Sequence, residues 1–510
     1  LRLEAGENHK NSYFYRLIKY LFNIMKIRFF GVILITFASG LLISGCKPGL
    51  KSAKTGWDYN DLENGGYDYL ANYNQPTGPG LVFIEGGTFT MGRVTDDVRY
   101  DWNNVPRRVT VNSFYMDETE VTNADYREYL YWLKRVFADY PQVYEQALPD
   151  TLVWRDELAF NEPQVEYYFR HPAYNDYPVV GVSWIQANNY CEWRTDRVNE
   201  LMLIKEGILN VDPNQSGANN FNTEAYLAGQ YEGIVKQNLP NNDPNATVRK
   251  ARMEDGFFYP KYRLPTEAEW EFAALGLVAR EENIESKRVF PWRGNYARNE
   301  EKKERGKLMA NFARGKGDYM GVSGSLNDGY AFTSPVKSYW PNDYGLYDMA
   351  GNVNEWVLDV YRPMSSVDVD ELSPFRGNVF TVQDKVGGNI AEKDSMGRIP
   401  RRTMTAEENL KRTNYKRSDN RNYRDGDPQS SITYNQGEQD PTKSTTKMYD
   451  NQIGITSRIS DEARVYKGGS WRDRAYWLVP GTRRYLDQDK SSDDIGFRCA
   501  MSRLGRADGK

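Results

Sequence analysis

Histidine and cysteine are scarce in this chain of 510 residues, which has two of the first and three of the second. Transition-metal sites built on imidazole or thiolate need several such ligands together. Past the N-terminal region only His171 remains, so neither a histidine-bound iron site nor a Ser-His-Asp hydrolase has the residues it needs. His171 precedes Pro172 in an aromatic segment and reads as a turn or packing residue. An excess of charge of one sign is also missing: 66 Lys and Arg face 70 Asp and Glu, a net charge of -4. That balance argues against a general nucleic-acid binder.

Long apolar runs are nearly absent as well. The exception, Phe29 to Leu42, follows the short basic stretch Met25-Lys26-Ile27-Arg28 and ends in Ile43-Ser44-Gly45-Cys46. A basic start, a short apolar centre and small residues before a cysteine read as a lipoprotein signal peptide. The alternative, a membrane-spanning anchor, would need a longer run and different flanks. Residues 1–45 are then an upstream extension plus signal, with Met25 as the natural start and Cys46 as the acylated residue. Lys47 follows Cys46 where an aspartate would favour inner-membrane retention, so the expected location is the outer membrane, with the folded part facing the periplasm.

Aromatic residues, by contrast, are plentiful: 12 Trp, 37 Tyr and 21 Phe supply a large core even with few regular elements. By length the chain holds two or three domains, or one domain with insertions. Residues 46–80, rich in Gly, Asn, Tyr and Pro, read as a tether. Alternating apolar positions predict strands over Leu81–Met91 and Arg107–Met116. A helix capped by Thr122 or Asn123 runs through Tyr126, Leu130 and Leu133, and a second spans Trp184 to about Ile208. Thr266 with Glu269 three residues on forms a capping box for a third. Insertions fall near 141–177, 209–260 and 362–460, and 504–510 is a tail. In the last insertion, 403–446 is too polar to bury much surface. The basic run from Arg398 to Asp425 reads as a solvated loop, with an anionic partner as the alternative.

The stretch Tyr344 to Trp356, YGLYDMAGNVNEW, packs two glycines and several oxygen donors into few residues. A loop curling through Gly351 could bring the carboxylates of Asp348 and Glu355 and the carbonyls of Gly351 and Val353 to one point. Calcium prefers such hard-oxygen shells. A plain glycine turn with a solvated acid and a core tryptophan explains the same residues.

This stretch resembles the signature of the formylglycine-generating enzyme, or sulfatase-modifying factor, family. The resemblance extends, in order, over Phe83–Phe89 with Met91-Gly92, Pro178–Trp184, Tyr262–Trp270, Arg464–Trp471 and Ile495–Ala500. It implies one α+β domain over 81–503, of the fold related to C-type lectins, with little regular secondary structure and long insertions. It also implies two structural calcium sites. The first is Asp348, Gly351, Val353 and Glu355; the second takes Asn311, Phe312, Asp328 and Tyr330. The family's active members hold copper on two cysteines, and those positions fall here on Asp473 and Leu478. Neither is a thiolate or a soft copper ligand, so the resemblance implies a pseudoenzyme that needs neither copper nor iron. Cys191 and Cys499 match positions that the family pairs as a disulfide; two buried free thiols are the alternative. Within the family, the lipobox, the NVNEWVLDVYRPM continuation and the long insertions most resemble lipoproteins of gliding motility and type IX secretion. The implied partners are other such lipoproteins and envelope components, with peptidoglycan or another glycan as an alternative ligand.

Overall fold

The computed structural model describes residues 50–505 apart from 62, 64–65, 94–103, 105, 244, 277–287, 315–327, 362–380, 406–407 and 409–461. The signal segment, Cys46, most of 403–446 and most of the basic run beyond Arg402 therefore lie outside the described residues. Among the described residues no helix is long and apolar enough to cross a membrane.

The chain divides into two units. The smaller takes residues 50–69 and 240–249, drawn from the segments read as tether and second insertion. Tyr59 packs against Tyr67 and Tyr69, with ring centroids 6.0 and 4.6 Å away. Asn242 Nδ2 donates to Gly66 O at 2.8 Å, and Arg249 Nε pairs with Asp68 at 3.1 Å.

The larger unit carries two four-stranded sheets. Its strands here are β1 (Leu81–Ile84), β2 (Gly87–Met91), β3 (Arg107–Val111), β4 (Phe114–Asp117), β5 (Tyr262–Arg263), β6 (Asn354–Val360), β7 (Ala463–Lys467), β8 (Arg484–Asp487), β9 (Ile495–Gly496) and β10 (Ala500–Ser502). The first sheet runs β1-β4-β10-β5, all antiparallel. The second runs β8-β7-β6-β9, with only β9 parallel to its neighbour. β2 and β3 pair as a separate ribbon, Gly87 opposite Val111 and Met91 opposite Arg107. Because β9 and β10 are separated only by Phe497-Arg498-Cys499, one short segment joins both sheets.

Each main helix starts where its side chains can satisfy the exposed first-turn N–H groups. Helix α1 (Asn123–Val136) is closed by Thr122 and Asp125, and its Tyr126, Leu130 and Leu133 are buried at the spacing of one face. Proline at the first position opens α2 (Pro141–Ala147) in the first insertion. Ser183 and Gln186 box the start of α3 (Trp184–Lys205). The short α4 (Thr223–Leu227) is capped by Asn222, and α5 (Glu267–Leu275) by Thr266 and Glu269 as the sequence predicts.

Two apolar clusters hold these layers. One joins α1 and α3 to the first sheet through Tyr126, Tyr190, Tyr115 and Met501, with Tyr126 and Tyr190 stacked at 5.7 Å. The other seats α5 between the β2–β3 ribbon and the second sheet through Phe89, Trp270, Phe272 and Val357. The second insertion also has an apolar cluster of its own, around Phe221, Tyr226, Tyr231 and Phe258, which its abundance of Asn, Pro and Gly had hidden.

Candidate functional site

The Tyr344–Trp356 loop is coiled tightly: Asp348, Gly351 and Asn352 all have positive φ, at 55, 79 and 61°. Only glycine fits at 351, since a Cβ there would stand 2.4 Å from the Asn311 carbonyl oxygen. The loop's polar atoms tie distant segments together. Gly351 N–H donates to Gly468 O at 3.0 Å, and Asn352 N–H to Asn311 O at 2.9 Å. The Asn352 side chain accepts from Ser334 N at 2.8 Å and donates to both Glu120 carboxylate oxygens at 3.2 Å.

Behind the loop, Glu355 and Arg498 form an ion pair with no exposed side-chain surface. Arg498 Nη2 and Nε reach Glu355 Oε1 and Oε2 at 2.6 and 2.7 Å, and Trp270 Nε1 donates to Oε2 at 2.7 Å. The remaining guanidinium N–H groups donate to Asp117 O at 3.1 Å and Tyr347 O at 2.8 Å. Two further carboxylates share this interior. Burial raises Asp348 to about 6, with Glu355 adding repulsion and Arg498 and a Lys337 N–H opposing. Burial, then Asp348 and Glu355, push Glu120 well above the usual carboxylate range. The charges named around this pocket are thus three carboxylates and one guanidinium, because the Lys337 ammonium pairs with Glu118 instead.

The expected calcium ligands fare as follows. Among the described residues no three His, Cys, Asp or Glu side chains converge on a metal position. The first set nevertheless fits a hard cation in kind, since Asp348 and Glu355 bring carboxylate oxygens into one acid-rich interior and a divalent ion would offset their repulsion. Arg498 and Trp270 engage three of the four lone-pair directions of Glu355, which leaves one on Oε1. Gly351 and Val353 stand on the same loop, and Val353 is fully buried. In the second set, Asn311 donates its amide to Phe332 O at 2.7 Å, so its side-chain oxygen faces elsewhere. Phe312 is buried in an apolar cluster. Asp328 Oδ1 accepts from Tyr330 N–H at 3.1 Å, closing the predicted turn. Both sets border Tyr339: burial, then Asp328, Tyr330 and Asp348, raise its hydroxyl.

The structure places the two positions at which the resemblance implies cysteines in different surroundings. Asp473 takes Arg484 Nη1 at 2.7 Å, Ser470 N–H at 3.0 Å, Ser470 Oγ at 2.7 Å and Asn354 Nδ2 at 3.2 Å. Burial works against its charge, but the Arg484 hydrogen bond and charge prevail and hold Asp473 below its usual range. The guanidinium of Arg484 also lies over the rings of Trp477 and Tyr466, at 4.4 and 4.9 Å. Leu478 is fully buried with Phe290, Leu308, Phe312 and Ala350. Neither position offers sulfur.

Cys191 on α3 and Cys499 are both buried, thiol against thiol with sulfur atoms 3.3 Å apart. Burial, then Cys499, raises the Cys191 thiol well above its usual value. His171 caps a helical turn, its Nδ1 accepting from Ala173 N–H at 3.1 Å.

The residues that reading the sequence did not single out are the partners: Glu120, Arg484, Asn354 and the role of Arg498. Glu120, Asn354 and Arg498 meet partners more than 100 residues away, and Arg484 meets Asp473 across 11, and no local spacing reports such pairs.

Residues 68–503 match the FGE-sulfatase family, the sulfatase-modifying factor enzyme 1-like domain, and the chain belongs to that family. The fold is that of a formylglycine-generating-enzyme-like domain, α+β with modest regular secondary structure. The chain is 28% identical over 305 residues to mouse (Mus musculus) formylglycine-generating enzyme, covering 56% of this chain and 60% of that protein. It thus spans less than two thirds of that relative. It is 27% identical over 302 residues to mouse inactive C-alpha-formylglycine-generating enzyme 2, covering 56% of this chain and 70% of the relative. Among solved structures it is similar to PvdO from Pseudomonas aeruginosa, at 18% identity and a TM-score of 0.38, covering 83% of this chain and 94% of that one. The family therefore includes relatives named as active enzymes and relatives named as inactive.

Proposed function

We propose that this chain is a non-catalytic member of its family, a lipid-anchored outer-membrane protein that serves as an assembly component of gliding motility and type IX secretion. The observation that carries the non-catalytic reading is the fate of the two family cysteine positions. Asp473 is spent on Arg484, Ser470 and Asn354, and Leu478 fills an apolar cluster. A carboxylate committed to a partly buried ion pair cannot exchange disulfides or bind Cu(I) as sulfur does. Incubating the purified domain with a CxPxR peptide, copper and oxygen should leave the peptide mass unchanged. An aldehyde trapped by hydrazide reagents would overturn the reading.

The motility and secretion reading rests on the resemblance of the lipobox, the NVNEWVLDVYRPM continuation and the long insertions to the gliding-motility lipoprotein GldJ of Bacteroidetes, with GldK the near alternative. Its partners are then other gliding and secretion lipoproteins at the periplasmic face of the outer membrane. Cys46→Ala should abolish palmitate incorporation and impair both processes; unlabelled wild-type protein would refute the anchor.

Calcium is the cofactor we assign, held by Asp348, Gly351, Val353 and Glu355, with Asn311, Phe312, Asp328 and Tyr330 as the second set. It would act structurally, by binding the folded state and neutralising buried carboxylates. Chelation should lower the melting temperature, and added calcium should restore it. An unchanged melting temperature with no calcium in the purified protein would remove the assignment.

A further inference from the structure

The smaller unit turns its aromatic side chains outward. Its described residues open on a hairpin in which Lys51 and Asp58 form an antiparallel bridge. Tyr59 N–H donates to Leu50 O at 2.7 Å, and Ser52 N–H to Trp57 O at 2.8 Å. That register sets Leu50 opposite Tyr59 and Ser52 opposite Trp57. Side chains alternate along paired strands, so these four share one face, and the Lys51–Asp58 ion pair takes the other. Tyr67 and Tyr69 extend the first face, because both rings pack on Tyr59. Asp68, between them, turns away to Asn242 and Arg249. The resulting face is uncharged and exposed: Trp57 keeps 73% of its surface accessible, Tyr67 65% and Leu50 50%. Single apolar residues on a surface need no explanation, but four aromatic rings and a leucine gathered on one face do.

Its place in the chain decides what covers it. Leu50 stands four residues after Cys46, the residue we assign as acylated, and four extended residues span at most about 14 Å. A lipid on Cys46 therefore holds this hairpin at the bilayer surface, where the headgroup layer is about 5–7 Å deep. Tryptophan and tyrosine concentrate in that layer, because a ring with one polar tip suits a boundary between hydrocarbon and water. The face brings no charge that would have to be desolvated there. A protein partner would have to enter the same short gap between the hairpin and the lipid.

We propose that this face docks on the lipid surface, with Trp57, Tyr59, Tyr67 and Tyr69 in the headgroup layer and Leu50 directed toward the acyl chains. The smaller unit is then held in one orientation on the membrane, and the segment after Cys46 is a folded foot instead of a free tether. The proposal rests on the lipid-anchor reading of Cys46 and goes beyond it, since an anchor alone needs no contact from these rings.

The test reconstitutes the full chain, extracted from membranes, in phosphatidylethanolamine and phosphatidylglycerol vesicles whose acyl chains are brominated near the headgroup. Residues 1–56 contain no tryptophan, so quenched tryptophan emission reports on Trp57 and later positions and not on the signal segment. The wild-type emission should be quenched, and Trp57→Phe should lose most of that quenching. Leu50→Asp with Tyr67→Ser should lose it too while keeping Trp57. These side chains are exposed, so the variants should keep the melting temperature of the wild type. Vesicle co-sedimentation without quenching would leave the anchor standing and overturn the docking face. Failure to co-sediment would overturn both. Quenching that persists in Trp57→Phe, or burial of Trp57 only when a second protein is added, would also overturn the proposal.

Discussion

Replacing Arg498 by methionine is the sharpest test of how the interior is held. Both partners of the Arg498–Glu355 pair have no exposed side-chain surface. Removing one member of such a pair typically costs about 3–5 kcal/mol, because the other charge stays buried without compensation. Here the cost should sit toward the upper end of that range. The buried carbonyl of Asp117 and the partly buried carbonyl of Tyr347 lose a donor at the same time, and Glu120 and Asp348 lose the guanidinium whose charge opposes their repulsion. Since domains are stable by only about 5–15 kcal/mol, this is a large fraction of the total. Urea unfolding at neutral pH and low temperature should show the midpoint falling with the slope unchanged. Adding Glu355→Gln to Arg498→Met should recover much of the loss, because the stranded charge is gone. A single variant that loses less than about 1 kcal/mol would refute the reasoning. So would a double variant as unstable as the sum of both singles, since the cycle would then report no coupling.

Gly351→Ala should destabilise by about 2 kcal/mol or more, as it forces a side chain into positive φ and against the Asn311 carbonyl; thermal unfolding checks it. Asp196, raised by burial to about 6 from 3.8, holds its proton in the folded state where the unfolded chain has released it. Its contribution is therefore complete below about pH 4 and is lost as pH rises through about 6. The wild-type stability curve should fall across that window more steeply than that of Asp196→Asn, and parallel curves would remove the claim. With sulfur atoms 3.3 Å apart, Cys191 and Cys499 should form a disulfide in an oxidising compartment. Intact-mass analysis with and without reduction decides this, and two freely alkylated thiols in the native protein taken from an oxidising environment would refute it.

Elements whose cause is local were legible in the sequence. Thr122 with Asp125 and Thr266 with Glu269 state where helices begin, because the cap and its partner lie three residues apart. Ser183 with Gln186 does the same for α3. The glycine turn at 351 is legible for the same reason, although the contact that forbids a side chain there comes from Asn311. The interior of the site was not legible. Glu355 meets Arg498 across 143 residues, and Glu120 meets Asn352 across 232. A lone buried acid in a sequence looks the same as a solvated one until the partner is known. Leu478 and Asp473 illustrate the same limit from the other side. The resemblance implies cysteines at these two positions, but it does not say what surrounds the residues that stand there. In the structure Leu478 sits in an apolar cluster, and Asp473 forms an ion pair with Arg484. A cysteine at 473 would strand Arg484, so Asp473→Cys with Leu478→Cys should lower the urea midpoint and leave a CxPxR peptide unoxidised in the presence of copper and oxygen; a double variant as stable as the wild type would refute this.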